Sequence, residues 1–187
     1  MLTASISAKA EGRRQVALER HQIREEQLQQ DRQLRELRLE HLRWRRERRQ
    51  GAYLELLTNM STADRANQQY FRELLAAPQS VPTDEARLEG IRGLFKAAEH
   101  TTYKVVLEGP ASVAEMAQEL IAQLGVLVSA VRDYARAHAS STSDVVVHRS
   151  IVESAGQSFL AAQSMFLGTA RTALDEVVDA TRDERQT

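Results

Sequence analysis

Between Ser112 and His138 the positions Val113, Ala117, Leu120, Leu124, Leu127, Val131, Tyr134 and His138 recur at alternating steps of four and three. That period predicts a helix with one buried stripe. Gly109-Pro110 opens it, because glycine suits the end of one helix and proline the first turn of the next. Further on, Val145, Val152, Phe159, Phe166 and Ala173 fall at intervals of seven, with Leu160, Leu167 and Leu174 on the flank, the pattern of bundle packing. Ser143-Asp144 supplies its N-cap. Upstream, Thr83-Asp84-Glu85 caps a helix in which Leu88, Ile91, Phe95, Ala98, Thr102 and Val105 again step by three and four. Residues 101–107 have strand propensity but keep the helical period, so they are read as helix.

Before the turn at Pro78 to Pro82, Tyr53, Leu57, Met60, Phe71 and Leu74 mark a further bundle helix, its seam interrupted by Asp64 and Asn67. The fold expected is therefore all-α: an antiparallel, up-down four-helix bundle over residues 51–187, with helices at about 51–77, 83–107, 111–139 and 144–182. No proline and no pair of glycines breaks the chain between Glu11 and Gln50, so the first helix extends backwards as an arm over residues 1–50. In that arm Val16, Ile23, Gln30, Leu37 and Trp44 share one heptad position and Arg20, Gln27, Leu34 and His41 the companion, while Leu28, Leu39 and Leu42 point elsewhere. This is a diluted coiled-coil seam. A helix so polar is marginal alone in water, so Val16, Ile23, Leu34, Leu37 and Trp44 are the expected contact with a second copy or another protein. A bend is expected at Gly51, where the arm's stripe gives way to the bundle's.

Composition adds three constraints. Three prolines and eight glycines in 187 residues leave few turns, consistent with long elements. The absence of cysteine removes disulfides, thiolate nucleophiles and cysteine metal sites. No apolar run has the length or character of a signal peptide or membrane span, so the expectation is a cytoplasmic protein.

Charge is unevenly spread: residues 1–50 hold thirteen basic and eight acidic side chains in a chain of net charge −1. Seven arginines crowd residues 35–49, among them Arg38, Arg43, Arg45, Arg46, Arg48 and Arg49, beside Trp44 and His41. Such a helix resembles a nucleic-acid-binding segment. The competing readings are ion pairing within the protein or between subunits, and pairing with a protein partner's acidic surface. With Ala77 aligned to Asp144 across the bundle, Gln50 falls near Arg171 and Arg38 near Asp183. The tail residues Asp175, Glu176, Asp179, Asp183 and Glu184 then face the arginines. Glu36, Glu40 and Glu47 further dilute any phosphate footprint.

Candidate chemistry is sparse. Five histidines occur, but no Glu-x-x-His or His-Glu-x-x-His string, so no metal is expected. His138 reads as a helix-end histidine near the C-terminal dipole. Ser143, Asp144 and His148 lie within about one turn, where capping explains the first two better than catalysis. No GxxxxGK or GxGxxG loop exists, and no cofactor is expected. Asp64 and Asn67 lie at the level of Gly90, Gly93 and Lys96 in the antiparallel hairpin, so an Asp64–Lys96 pair is expected to fix register. A small-ligand pocket opened by the two glycines is the alternative.

The run Arg45-Arg46-Glu47-Arg48-Arg49-Gln50-Gly51-Ala52-Tyr53-Leu54-Glu55-Leu56-Leu57, with the later Val105-Val106-Leu107-Glu108-Gly109-Pro110-Ala111-Ser112-Val113-Ala114, resembles uncharacterised helical-bundle proteins of actinobacteria. In those chains an Arg-Arg-x-x-Tyr-x-x-x-Leu helix precedes a Leu-x-Gly-Pro-x-x-Val turn. Here the Arg48-Arg49 pair stands one residue further from Tyr53. The resemblance spans about residues 40–170 and implies a helical bundle without an assigned activity. The functional expectation is a non-enzymatic interaction or scaffold protein that self-associates, or docks a partner, through its N-terminal helix. A nucleic-acid-associated protein using the arginines is the alternative, and a ligand-binding bundle the third.

Overall fold

The computed structural model describes the backbone of residues 2–78, 81–140 and 144–186, and the side chains of residues 22–78, 81–140 and 144–175. Four helices follow one another: α1 (Leu2–Ala76), α2 (Glu85–Glu108), α3 (Ala111–Ala139) and α4 (Val145–Gln186). The chain forms two compact units, residues 45–180 and residues 1–44 with 181–187. The boundary thus falls at Trp44–Arg45 rather than at residue 50, and helical bonding runs through Gly51 without interruption. Arg48 and Arg49 explain the shift, since both are tied to Glu108 at the end of α2.

Residues 45–180 make the bundle. Asp84 caps α2, its carboxylate accepting from the Arg87 backbone N–H at 3.0 Å. The Pro110 carbonyl accepts the first backbone bonds of α3, so the proline stands at the cap itself, one position before the first turn. Thr101 and Thr102, β-branched and buried in α2, both return their hydroxyls to the Ala98 carbonyl, at 2.8 and 3.1 Å. That satisfies them inside a helix and disposes of the strand propensity.

Cross-helix contacts set the registers. On α1 and α2, Glu55 meets Lys104 at 2.6 Å, and Glu73 pairs with Arg87, an antiparallel pairing in which residue numbers rise on one helix as they fall on the other. Tyr53 meets Phe166 edge to face at 6.0 Å, within two residues of the alignment expected for the first and fourth helices. Phe95 of α2 closes on Gly125 of α3.

The seam of α4 is Val152, Phe159, Phe166 and Ala173, as the sevens predict, but its companion row is Ala155, Ala162 and Ala170. Leu160 and Leu167 are exposed. On α1 the innermost residues are Leu56, Met60, Ala63, Asn67, Tyr70 and Leu74, while Leu57 and Phe71 pack at the margin. Phe159 and Phe166 are among the largest fully buried side chains of the bundle. Among the described residues α3 is the one helix long and apolar enough to cross a membrane. Here its stripe, from Val113 to Tyr134, is buried in the bundle core.

Candidate interaction surface

The arm's seam is open. Ile23, Leu34, Leu37 and Trp44 are between 51% and 61% exposed, and Leu28 is exposed beside them. Leu39 and Leu42, off that seam, are half-buried. His41 stacks on Trp44 with ring centres 5.8 Å apart and planes 26° apart, which holds the indole against its own helix. Val16 and the acidic residues Glu176, Asp179, Asp183 and Glu184 lie outside the described side chains. Asp175 is paired locally with Arg171.

The arginine cluster divides in two. Arg38, Arg43, Arg45 and Arg46 are exposed. Arg48 and Arg49 are committed: Arg48 meets the Glu108 carboxylate at 2.7 Å, and Arg49 Nε donates to the Glu108 carbonyl at 2.9 Å. A helix leaves its last carbonyls unpaired and carries partial negative charge there, so two guanidiniums at the end of α2 answer both needs. Tyr53 lies against the same corner. A Cβ on Gly109 would stand 2.8 Å from the Val105 carbonyl and 3.2 Å from the Tyr53 hydroxyl, so only glycine fits. Burial raises the Tyr53 phenol pKa, and neighbouring Arg49 partly offsets this. The segments around Arg48-Arg49-Tyr53 and Glu108-Gly109 thus converge on one corner, where the side chains of α1 grip the end of α2. This clamp goes unnoticed in the sequence, although the Gly-Pro turn and the Arg–Tyr run both signal it.

The expected Asp64–Lys96 pair does not form. The level is right: Glu55–Lys104 and Glu73–Arg87 place Asp64 opposite Lys96. The face is wrong. Asp64 lies nine residues from both Glu55 and Glu73, about 180° around a helix at 3.6 residues per turn, so it points away from α2. Lys96 is exposed instead. Asp64 Oδ2 accepts from Gln68 at 2.8 Å, while Oδ1 is buried without a partner. Burial raises the Asp64 pKa, and the Gln68 hydrogen bond partly counters it. One turn on, Asn67 is 1% exposed and neither amide atom finds a partner among the described residues. The glycine pocket is also absent at the expected place, because Gly90 and Gly93 are exposed and a Cβ on either would meet nothing within 4 Å.

His138 is buried at the last turn of α3 with its ring 5.8 Å from Tyr134, the helix-end placement expected for it. Among the described residues no cluster of His, Asp or Glu could hold a metal ion. Ser143 lies outside the described residues. An open groove of about 810 Å³ lies across α2, α3 and α4, its lining including Leu88, Arg92, Phe95, Val126, Arg136 and Ile151. No protein-family model, curated protein or solved structure matches the chain.

Proposed function

We propose that the protein is a non-enzymatic interaction or scaffold protein that engages protein through the exposed seam of its N-terminal helix. The observation that carries this reading is the row Ile23, Leu34, Leu37 and Trp44: large apolar side chains, each about half exposed, on one stripe of an otherwise polar helix. Scattered apolar residues need no explanation, but a stripe at coiled-coil spacing costs solubility unless something covers it. Arginines around the seam favour orientation and specificity in such a contact more than raw affinity. The reading includes self-association and a reducing, cytoplasmic setting, the latter resting on the absence of cysteine.

Light scattering tests it on the full chain and on Leu34→Glu/Leu37→Glu, whose helix is preserved because both sites are exposed and glutamate is a good helix former. A mass above the monomer, or capture of a defined protein, that the variant loses supports the reading. Equal monomeric masses with nothing captured by either chain defeat it.

The second reading is nucleic-acid binding through Arg38, Arg43, Arg45 and Arg46, all exposed beside Trp44. It loses two of its six candidates, Arg48 and Arg49, to Glu108. It predicts affinity for a DNA or RNA duplex that falls steeply with salt.

A further inference from the structure

One turn of α1 inside the bundle, independent of the arm, carries polar atoms that nothing answers. Asp64 Oδ1, Asn67 Oδ1 and Asn67 Nδ2 are sealed from solvent without a hydrogen-bond partner among the described residues. Three such atoms within four residues concentrate a cost that folded proteins avoid, because each has lost its bonds to water and gained none in return. From this cluster we infer that the bundle has a pH-sensitive opening point: α1 and α4 part at the level of Asp64 and Asn67 when the Asp64 carboxyl ionises.

The edge-to-face pair of Tyr53 and Phe166 fixes the antiparallel register of α1 and α4. Counted from that pair, Asn67 stands level with Val152 and Asp64 with Ala155, both buried on α4. Asp64 turns away from α2 and lies on the flank of α1 that borders α4, while Asn67 sits on the innermost row. Beside Ala155 stands Gly156, half-buried, where a Cβ would meet nothing within 4 Å. The α1–α2 interface is tied by Glu55 to Lys104 and by Glu73 to Arg87. Facing α4, the three sealed atoms make no bond at all, and the side chains across from them are small or apolar.

Asp64 Oδ2 keeps one bond, from the neutral Gln68 amide at 2.8 Å, against the whole cost of burying a charge. Burial raises the Asp64 pKa and the Gln68 bond offsets this only in part. No neighbouring charge assists. Along the facing stretch of α4, residues 152–159, the one titratable group is Glu153, which is exposed and bonded to Arg149 at 2.9 Å. The facing stretch of α3, set by Phe71 against Tyr134, covers about residues 123–131 and holds no titratable group. On α1 itself the adjacent charge is Arg65, which is exposed.

The neutral carboxyl is therefore compatible with the closed interface, and the ionised one is better accommodated in water. With the closed-state pKa above that of the hydrated carboxyl, closure is firmest below the hydrated value and weakens as pH rises through the closed-state one. Opening releases one proton, so the open fraction rises by at most about tenfold per pH unit between the two values and levels off above them. Such an opening uncovers Val152, Ala155 and Phe159 of α4 without unfolding α2 and α3.

The chain has no cysteine, so one buried thiol reports opening in the full-length protein. Val152→Cys places it level with Asn67, and Val105→Cys, at a fully buried position of α2, is the reference. Reaction with 4,4′-dithiodipyridine is followed from about pH 4 to ~8, each rate divided by that of the same chain unfolded in urea. The Val152→Cys thiol is expected to react roughly tenfold or more faster than the Val105→Cys thiol at neutral pH, the ratio rising with pH. Added Asp64→Asn is expected to slow it and flatten its pH dependence, whereas added Asn67→Ala slows it and leaves the dependence in place. Equal rates at the two positions at every pH overturn the opening point, since global unfolding alone then exposes either thiol. A faster Val152→Cys thiol that ignores pH, or that keeps its pH dependence with Asp64→Asn, overturns Asp64 as the trigger. Ala155→Cys, level with Asp64, gives the same readout where Val152→Cys does not fold.

Discussion

Asn67→Ala is expected to stabilise the bundle, although Asn67 sits on the same inner row of α1 as Leu56, where truncation to alanine should do the opposite. Both side chains are fully buried. Leu56→Ala removes apolar contacts and leaves a cavity, at a cost of about 2–5 kcal/mol. Asn67 has no hydrogen-bond partner for either amide atom among the described residues, and each such buried group costs about 1–3 kcal/mol. Alanine removes that penalty and gains about 0.5 kcal/mol in helix propensity. The lost volume is small, roughly 25 Å³, which at ~24 cal/mol per Å³ costs about 0.6 kcal/mol. Even with one amide group counted, the net is a gain of about 1–3 kcal/mol. For a chain of this size that is a rise in Tm of about 2–12 °C. Urea titration and thermal scans of the two variants measure it, with equal m-values confirming that the same surface is exposed on unfolding. A loss of 1 kcal/mol or more in Asn67→Ala would show that the amide is satisfied, by ordered water for instance, and that the orphan reading is mistaken.

Other expectations follow from the same geometry. Gly93→Ala adds a methyl where nothing lies within 4 Å and should stabilise by about 1 kcal/mol through helix propensity, whereas Gly109→Ala drives its Cβ into the Val105 carbonyl and should cost about 1–3 kcal/mol; thermal melts of the pair read the contrast. Because burial raises the folded-state pKa of Asp64 above its unfolded value, its ionisation opposes folding: the relative stability is full below the unfolded carboxylate pKa and is lost as pH rises through the folded one. Asp64→Asn should therefore be more stable than the parent at pH 7, with the advantage shrinking on acidification toward about pH 4. An advantage that does not change with pH in denaturant titrations would contradict this.

The helices themselves are legible in the sequence because they repeat. Val152, Phe159 and Phe166 announce one seam of α4, and the stripe of α3 is found residue for residue. What is not legible is the role of alanine. Ala155, Ala162 and Ala170 form the second seam of α4, yet alanine carries little hydropathic signal, and the eye turns to Leu160 and Leu167, which are exposed. The same bias selects Leu57 and Phe71 over Leu56 and Tyr70 on α1. Asp64 fails differently: its level was fixed by counting residues, but its direction depends on which flank of α1 faces which neighbour, and that is a property of the assembled bundle. The arginine cluster shows the limit of charge reading. Arg48 and Arg49 are answered by a carboxylate and a carbonyl at one helix end, and the carbonyl is invisible to any tally of charges.

Trp44 is the chain's one tryptophan and sits on the proposed seam, 51% exposed and stacked on His41, so its fluorescence reports directly whether protein covers that surface. Emission recorded on the full chain from about 50 nM to ~50 μM spans the affinities of ordinary reversible association. A shift to shorter wavelength is expected as concentration rises, absent in Leu34→Glu/Leu37→Glu. Emission that is the same at every concentration and in both chains would contradict it.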